Sequence, residues 1–212
     1  MIESEMPEPA DPMRMGLVVE GGLLLVALFL GWMGLFDHQQ PISSIGSWSL
    51  WQYSIGWGLI ATIPLLVYLI VFHFWTPKFY RPVREIIDEK LRPMFRSSSY
   101  LDLLLLSLMA GFGEELFFRW CLQGGITSIA EANGGTPMAA WIGVGIASII
   151  FGACHWVNRT YAITTAIVGV YFGMTMIWTG TWLVPAISHG MFDFIALIYI
   201  VRSVPHEQRS LK

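Results

Sequence analysis

Long apolar runs separated by short polar breaks dominate the pattern along the chain. Six of them approach the ~20 residues that cross the hydrocarbon of a bilayer. They lie at 15–36, 50–75, 99–122, 138–157, 161–178 and 182–201, and each is read as a membrane-spanning helix. The fifth is short. The third is interrupted by "GEELFFRW", residues 113–120, where two glutamates and an arginine stand in otherwise apolar sequence. One stretch is both long and polar: 76–98, "TPKFYRPVREIIDEKLRPMFRSS". Its prolines, Pro77, Pro82 and Pro93, are expected to break it up, leaving "VREIIDEKL" to form an amphipathic helix on the membrane surface. No internal repeat is visible. The pattern predicts an all-α polytopic membrane protein, its helices set around a polar intramembrane cavity.

Composition supports this picture. Of 212 residues, 55% are hydrophobic and 13% charged, and mean hydropathy is +0.58. Soluble domains carry about 25% charged residues. The net charge is −3 and no basic patch is interleaved with aromatics, which excludes nucleic acid as a partner. Cys121 and Cys154 lie in apolar segments without CxxC or zinc-finger spacing, so neither a disulfide framework nor a cysteine-rich metal site is expected. The N-terminus, "MIESEMPEPADPMRM", is acidic and proline-rich and lacks the basic region of a signal peptide, so residues 1–14 are expected to form a retained, disordered tail. The rest divides into two spans and a basic loop (15–98), a core of four spans (99–202) and a C-terminal tail (203–212).

Charge also sets orientation. Lys78, Arg81, Arg84, Lys90, Arg92 and Arg96 crowd the 76–98 loop, while 37–49, 123–137 and 179–181 hold no basic residue. Arg14 precedes the first span, Arg159 sits between the fourth and fifth, and Arg202, Arg209 and Lys212 follow the sixth. Every basic residue except Arg119 therefore falls on one side, and the positive-inside rule makes that side, with both termini, cytoplasmic. Gly169 and Gly173 form a GxxxG that predicts close helix packing. Asp37, His38, His73 and His206 lie near span ends, where polar residues are cheap, and carry no functional reading.

Six ionisable residues fall inside the third, fourth and sixth spans: Glu114, Glu115, Arg119, His155, His189 and Asp193. A charge at the bilayer centre costs on the order of 2.5–3.5 kcal/mol, so such residues face the protein interior and pair. Glu115 and Arg119 are four apart and share a helix face. Glu114 is rotated about 100° from Glu115 and points elsewhere. One glutamate can thus hold the arginine while the other stays free for chemistry. Phe151 and His155, and His189 and Asp193, repeat the same spacing. Two imidazoles and two carboxylates converging in a low-dielectric cavity have two uses. They can bind zinc or another divalent metal through Glu114, His155, His189 and Asp193. Or they can activate water by general-base catalysis and stabilise an oxyanion without metal. Each residue also has a plainer reading. An intramembrane histidine often only joins helices by a hydrogen bond, and the Glu115–Arg119 pair is most simply structural. The same side chains would also serve a proton-coupled transporter or channel, or a non-catalytic scaffold that binds peptides.

Taken together, "EELFFR" (EExxxR), "FGACH" (FxxxH) and "HGMFD" (HxxxD), in that order on three apolar segments, resemble the CPBP family of intramembrane proteases, also called Abi, which includes the CAAX prenyl protease 2 type. The resemblance covers about 99–202 and is absent from the first two spans. It implies an α-helical membrane endopeptidase with a cavity open towards the cytoplasm, acting on a membrane-bound and possibly lipidated, CAAX-like peptide or protein. It makes Glu114 the catalytic glutamate, Glu115 and Arg119 its supporting pair, Phe151 and His155 the second motif, and His189 and Asp193 the third. The expected location is the plasma membrane of a bacterium or archaeon. Straight helices with these boundaries leave Glu114 about 22 Å from the cytoplasmic start of its span, yet put His155 within a turn or so of the cytoplasmic end of its own. For the two to meet, the third span is expected to enter near Ser107, with 99–106 in the interface, or the fourth to be tilted or extended.

Overall fold

The computed structural model describes residues 11–33, 46–135 and 138–203. The reading of 1–10 as a tail, and Asp37, His38, His206, Arg209 and Lys212, lie outside them. Helices follow one another and no strand occurs among the described residues. α1 is Pro12–Trp32 and α2 is Trp48–Phe74. α3 is a composite of Lys78–Tyr80, Arg81–Ile86, Ile87–Leu91 and Arg92–Phe95. α4 runs unbroken through Tyr100–Glu115, Leu116–Gln123 and Gly124–Ala132. α5 is Ala139–Cys154, α6 Arg159–Thr179 and α7 Leu183–Arg202. Four of these are long and apolar enough to cross a membrane (α1, α2, α6 and α7), and α5 is apolar but shorter.

Local signals explain the boundaries. Asp11 caps α1, accepting from Met13 N at 3.0 Å, with Pro12 in the first turn. The helix therefore begins within the stretch read as tail, because an acid followed by proline is a start signal. Ser99 and Asp102 form a reciprocal capping box on α4. Asn158 caps α6, and Gly180, at φ 71°, ends it in the left-handed conformation that glycine adopts without strain.

Two expectations need correction. The prolines do not break 76–98. Pro82 lies in the first turn of its helical piece, and Pro93 follows the wide π-type turn Ile87–Leu91, which adjusts backbone register around the missing N–H. Nor does this segment only lie on a surface, since Val83, Ile86 and Phe95 are buried against the bundle. The third helix does not stop at 122 but continues to Ala132, with π-type geometry over Leu116–Gln123. At 1.5 Å per residue it is roughly 50 Å long. Its start at Tyr100 marks no obvious boundary, because Leu103 and Leu106 pack with Phe95 against Met13, Leu17, Leu197 and Val201. The meeting of Glu114 with His155 comes from this length, not from an extended α5.

α4 is the central helix. α1 lies along it in parallel, with Gly16 against Leu106 and Ala27 O against Cys121 Sγ at 3.8 Å. α7 crosses it in the opposite direction at Gly111 and Gly190. A Cβ at Gly111 would stand 2.6 Å from Gly190 N and 2.7 Å from Ala186 O, so only glycine lets the backbones come this close. α6 packs on α5 through the GxxxG: Gly169 faces Ser148 and Phe151, and Gly173 faces Gln123 and Val144. Asn158 donates to Pro82 O at 3.3 Å, and Arg92 binds Ile200 O and Ser203 O. The start of α1, all of α3, the α5–α6 turn and the end of α7 thus gather at one end of the bundle.

Candidate active site

A cavity of about 380 Å³ opens at that end. α3 contributes Tyr80, Val83, Ile87, Leu91 and Phe95 to its wall. Burial pushes the Tyr80 phenol above its ordinary range, so it stays neutral, accepting from Tyr68 OH at 2.9 Å. Most of the lining is apolar. The polar side chains facing inward include Glu114, His155, His189 and Asp193, the four residues for which the sequence suggests chemistry, together with Glu20 and Ser107.

The two adjacent glutamates part as the helical wheel requires. Glu115, fully buried, turns away from the cavity and places Oε2 2.8 Å from Arg119 Nε. Its Oε1 meets His189 Nδ1 at 3.1 Å. Arg119 is also fully buried, its guanidinium 5.2 Å from the centre of the Phe151 ring, which offers it a cation–π contact. Glu114 lines the cavity. Its Oε1 lies 3.5 Å from His155 Nε2, and its Oε2 is buried without a hydrogen-bond partner. The π-type turn begins directly after this pair, so the backbone leaves regular α geometry at the motif itself.

Phe151 explains the second motif. Its backbone oxygen stands 2.8 Å from His155 Nδ1 and accepts the proton there, which turns Nε2 towards Glu114. His155 is not inside α5 but caps it, at φ −97° and ψ 28°. The Phe151 ring is 2% exposed and lies under both Arg119 and His155, its centre 4.7 Å from that of the imidazole. One residue thus supports the charged elements of two motifs.

His189 is held on both sides. Nδ1 faces Glu115, Nε2 faces Asp193 Oδ2 at 3.3 Å, and the ring stacks on Phe172 with centroids 4.8 Å apart. An imidazole donates from both nitrogens only when protonated; Nδ1 is hydrogen-bonded to Glu115, while Nε2 stands at ion-pair distance from Asp193. With both nitrogens engaged, His189 does not join Glu114 and His155 around a common point. Among the described residues no three His, Cys, Asp or Glu side chains are grouped as metal ligands would be. The donor set expected for a divalent metal therefore does not fit one in this arrangement.

Glu20 was not among the residues singled out from the sequence. It is an ionisable side chain in the middle of an apolar run, the same signal that marked the other six, and no motif surrounds it.

Residues 96–195 match the family model described as Rce1-like, type II CAAX prenyl endopeptidase Rce1-like. The matched segment contains all three motifs, and with it the resemblance to the CPBP and CAAX prenyl protease 2 type is borne out. The match and the four long apolar helices fit an integral membrane protein. No curated protein and no solved structure matches significantly.

Proposed function

We propose that the chain is an intramembrane endopeptidase of the type matched over 96–195, and that Glu114 activates the attacking water. One observation carries this reading: Glu114 presents a buried, unpartnered carboxylate oxygen to a cavity, beside an imidazole. Glu114 takes a proton from water, and hydroxide bonds to the scissile carbonyl carbon. His155, its Nδ1 proton held by the Phe151 carbonyl, orients the water through Nε2, and as the imidazolium it donates from that nitrogen to the oxyanion. His189, between Glu115 and Asp193, adds positive charge nearby when it is protonated. Glu115 and Arg119 anchor that histidine from behind the cavity wall. The apolar lining suits a substrate that is itself membrane-bound, and the family's description points to a prenylated CAAX tail.

The proposed topology has six spans with both termini and 76–98 in the cytoplasm. Support comes from helix directions: α1 and α4 run parallel and α7 opposes them, as first, third and sixth spans must. The contacts of Pro82 with Asn158 and of Arg92 with the end of α7 further support it, since both join segments assigned to the basic side. The cavity would then face the cytoplasmic leaflet.

The test uses purified protein in nanodiscs with a fluorescence-quenched farnesylated CAAX peptide. Wild type should release the C-terminal fragment. Glu114→Gln, which keeps the shape and removes the base, should lose at least ~10²-fold while eluting as folded protein. Comparable turnover in both would overturn the assignment.

A further inference from the structure

Peptide hydrolysis moves two protons, and the reaction above accounts for one. Glu114 takes a proton from water as the new C–O bond forms. When the C–N bond breaks, the departing nitrogen must gain a proton. Either Glu114 returns its own or a second acid supplies one.

The structure offers that second acid. Glu20, on α1, lines the same cavity as Glu114, His155 and Asp193. Its position is built in. A Cβ on Gly113 would come within 2.8 Å of Glu20 O, so glycine at 113 lets α1 settle against the residue next to Glu114. Glu20 Oε2, like Glu114 Oε2, is buried with no hydrogen-bond partner. No Lys or Arg is among the cavity's described lining residues. Burial in a low-dielectric space disfavours the charged form of a carboxyl group, and a neutral carboxyl can act as an acid.

We infer that Glu20 is the acid of the reaction: it gives its proton to the departing amine nitrogen while Glu114 takes one from the attacking water. The inference rests on the protease reading above. Water's oxygen ends on the carboxylic product, Glu20's proton ends on the amine, and the proton held by Glu114 passes to Glu20 within the cavity. The starting state is thereby restored, with no oxidant or further reactant.

The experiment compares two substrates sharing one farnesylated acyl segment: the peptide, and its 4-nitrophenyl ester, whose phenolate leaves without needing a proton. Both are assayed in nanodiscs with wild type, Glu20→Gln, Glu20→Asp and Glu114→Gln. Glu20→Gln should lower kcat on the peptide about 10²-fold, with KM little changed, and lose far less on the ester. Glu20→Asp, which still carries a proton, should regain part of the peptide turnover, and it decides the matter alone if Glu20→Gln does not fold. Equal losses on both substrates would mean that Glu20 only supports the fold, and would overturn the inference. So would wild-type peptide turnover in Glu20→Gln while Glu114→Gln is inactive, an outcome that leaves the protease reading standing. Full activity of Glu114→Gln on both substrates would remove the base, and this inference with it.

Discussion

Glu115 and His189 meet at 3.1 Å, Oε1 to Nδ1, where α4 and α7 cross. The contact joins the first motif to the third across 74 residues of chain. It exists because Gly111 and Gly190 bring the two backbones together one turn away. Small residues at a membrane helix crossing are often read only as packing. Here the packing sets the charge geometry.

A side chain at Gly111 should therefore damage both. Its Cβ would meet Gly190 N at 2.6 Å and Ala186 O at 2.7 Å, backbone atoms that cannot rotate aside. Overpacking costs about 1–3 kcal/mol, so Gly111→Ala should melt earlier in detergent and lose turnover as His189 leaves Glu115. Gly22→Ala, with nothing within 4 Å, should melt like wild type. A Gly111→Ala protein with unchanged melting and turnover would contradict the account.

The two glutamates should separate in their effects. Removing one partner of a buried ion pair costs about 3–5 kcal/mol, and Arg119 and Glu115 are both fully buried. Arg119→Ala is expected to lower folded yield and melting temperature well below those of Glu114→Gln. Glu114→Gln should fold almost normally and be inactive. Detergent melts that rank the two variants in reverse would exchange the roles assigned to the glutamates.

Asp193 and metal dependence can be read together. Asp193 Oδ2 lies 3.3 Å from His189 Nε2, a nitrogen that a ligating histidine would need for the ion. Asp193→Asn keeps a hydrogen-bond acceptor there and should retain partial activity. Treatment with 1,10-phenanthroline should leave wild-type cleavage undiminished. Loss of activity with chelator, restored by Zn²⁺, would show that His189 and Asp193 rearrange into ligands.

Orientation is testable by chemical labelling. In a cysteine-free background, Glu89→Cys lies on an exposed stretch of α3. An impermeant maleimide should label it in inside-out vesicles and not in intact cells. Labelling in intact cells would reverse the topology.

Much was legible in the chain itself. Apolar runs long enough for a bilayer give helices because unpaired backbone groups are too costly in lipid. The four-residue spacing gives the Glu115–Arg119 pair and, by rotation, the separate direction of Glu114, because both follow from helical periodicity alone. Buried charge in an apolar segment marked the site. The same signal stands at Glu20, where no motif surrounds it.

What the sequence could not supply is which helix meets which, and at what height. Glu114 facing His155 at 3.5 Å depends on the continuous length of α4 and on where α5 ends. The pairing of His189 with Glu115, and not Glu114, depends on the Gly111–Gly190 crossing. Glu20 reaches the cavity because Gly113 admits α1. The wide turn that carries α3 past Pro93 depends on the apolar bundle end into which Phe95 packs. Local propensity and periodicity act within a few residues of chain. Depth, crossing and convergence are set by close packing between segments far apart in it, and only the folded bundle decides them.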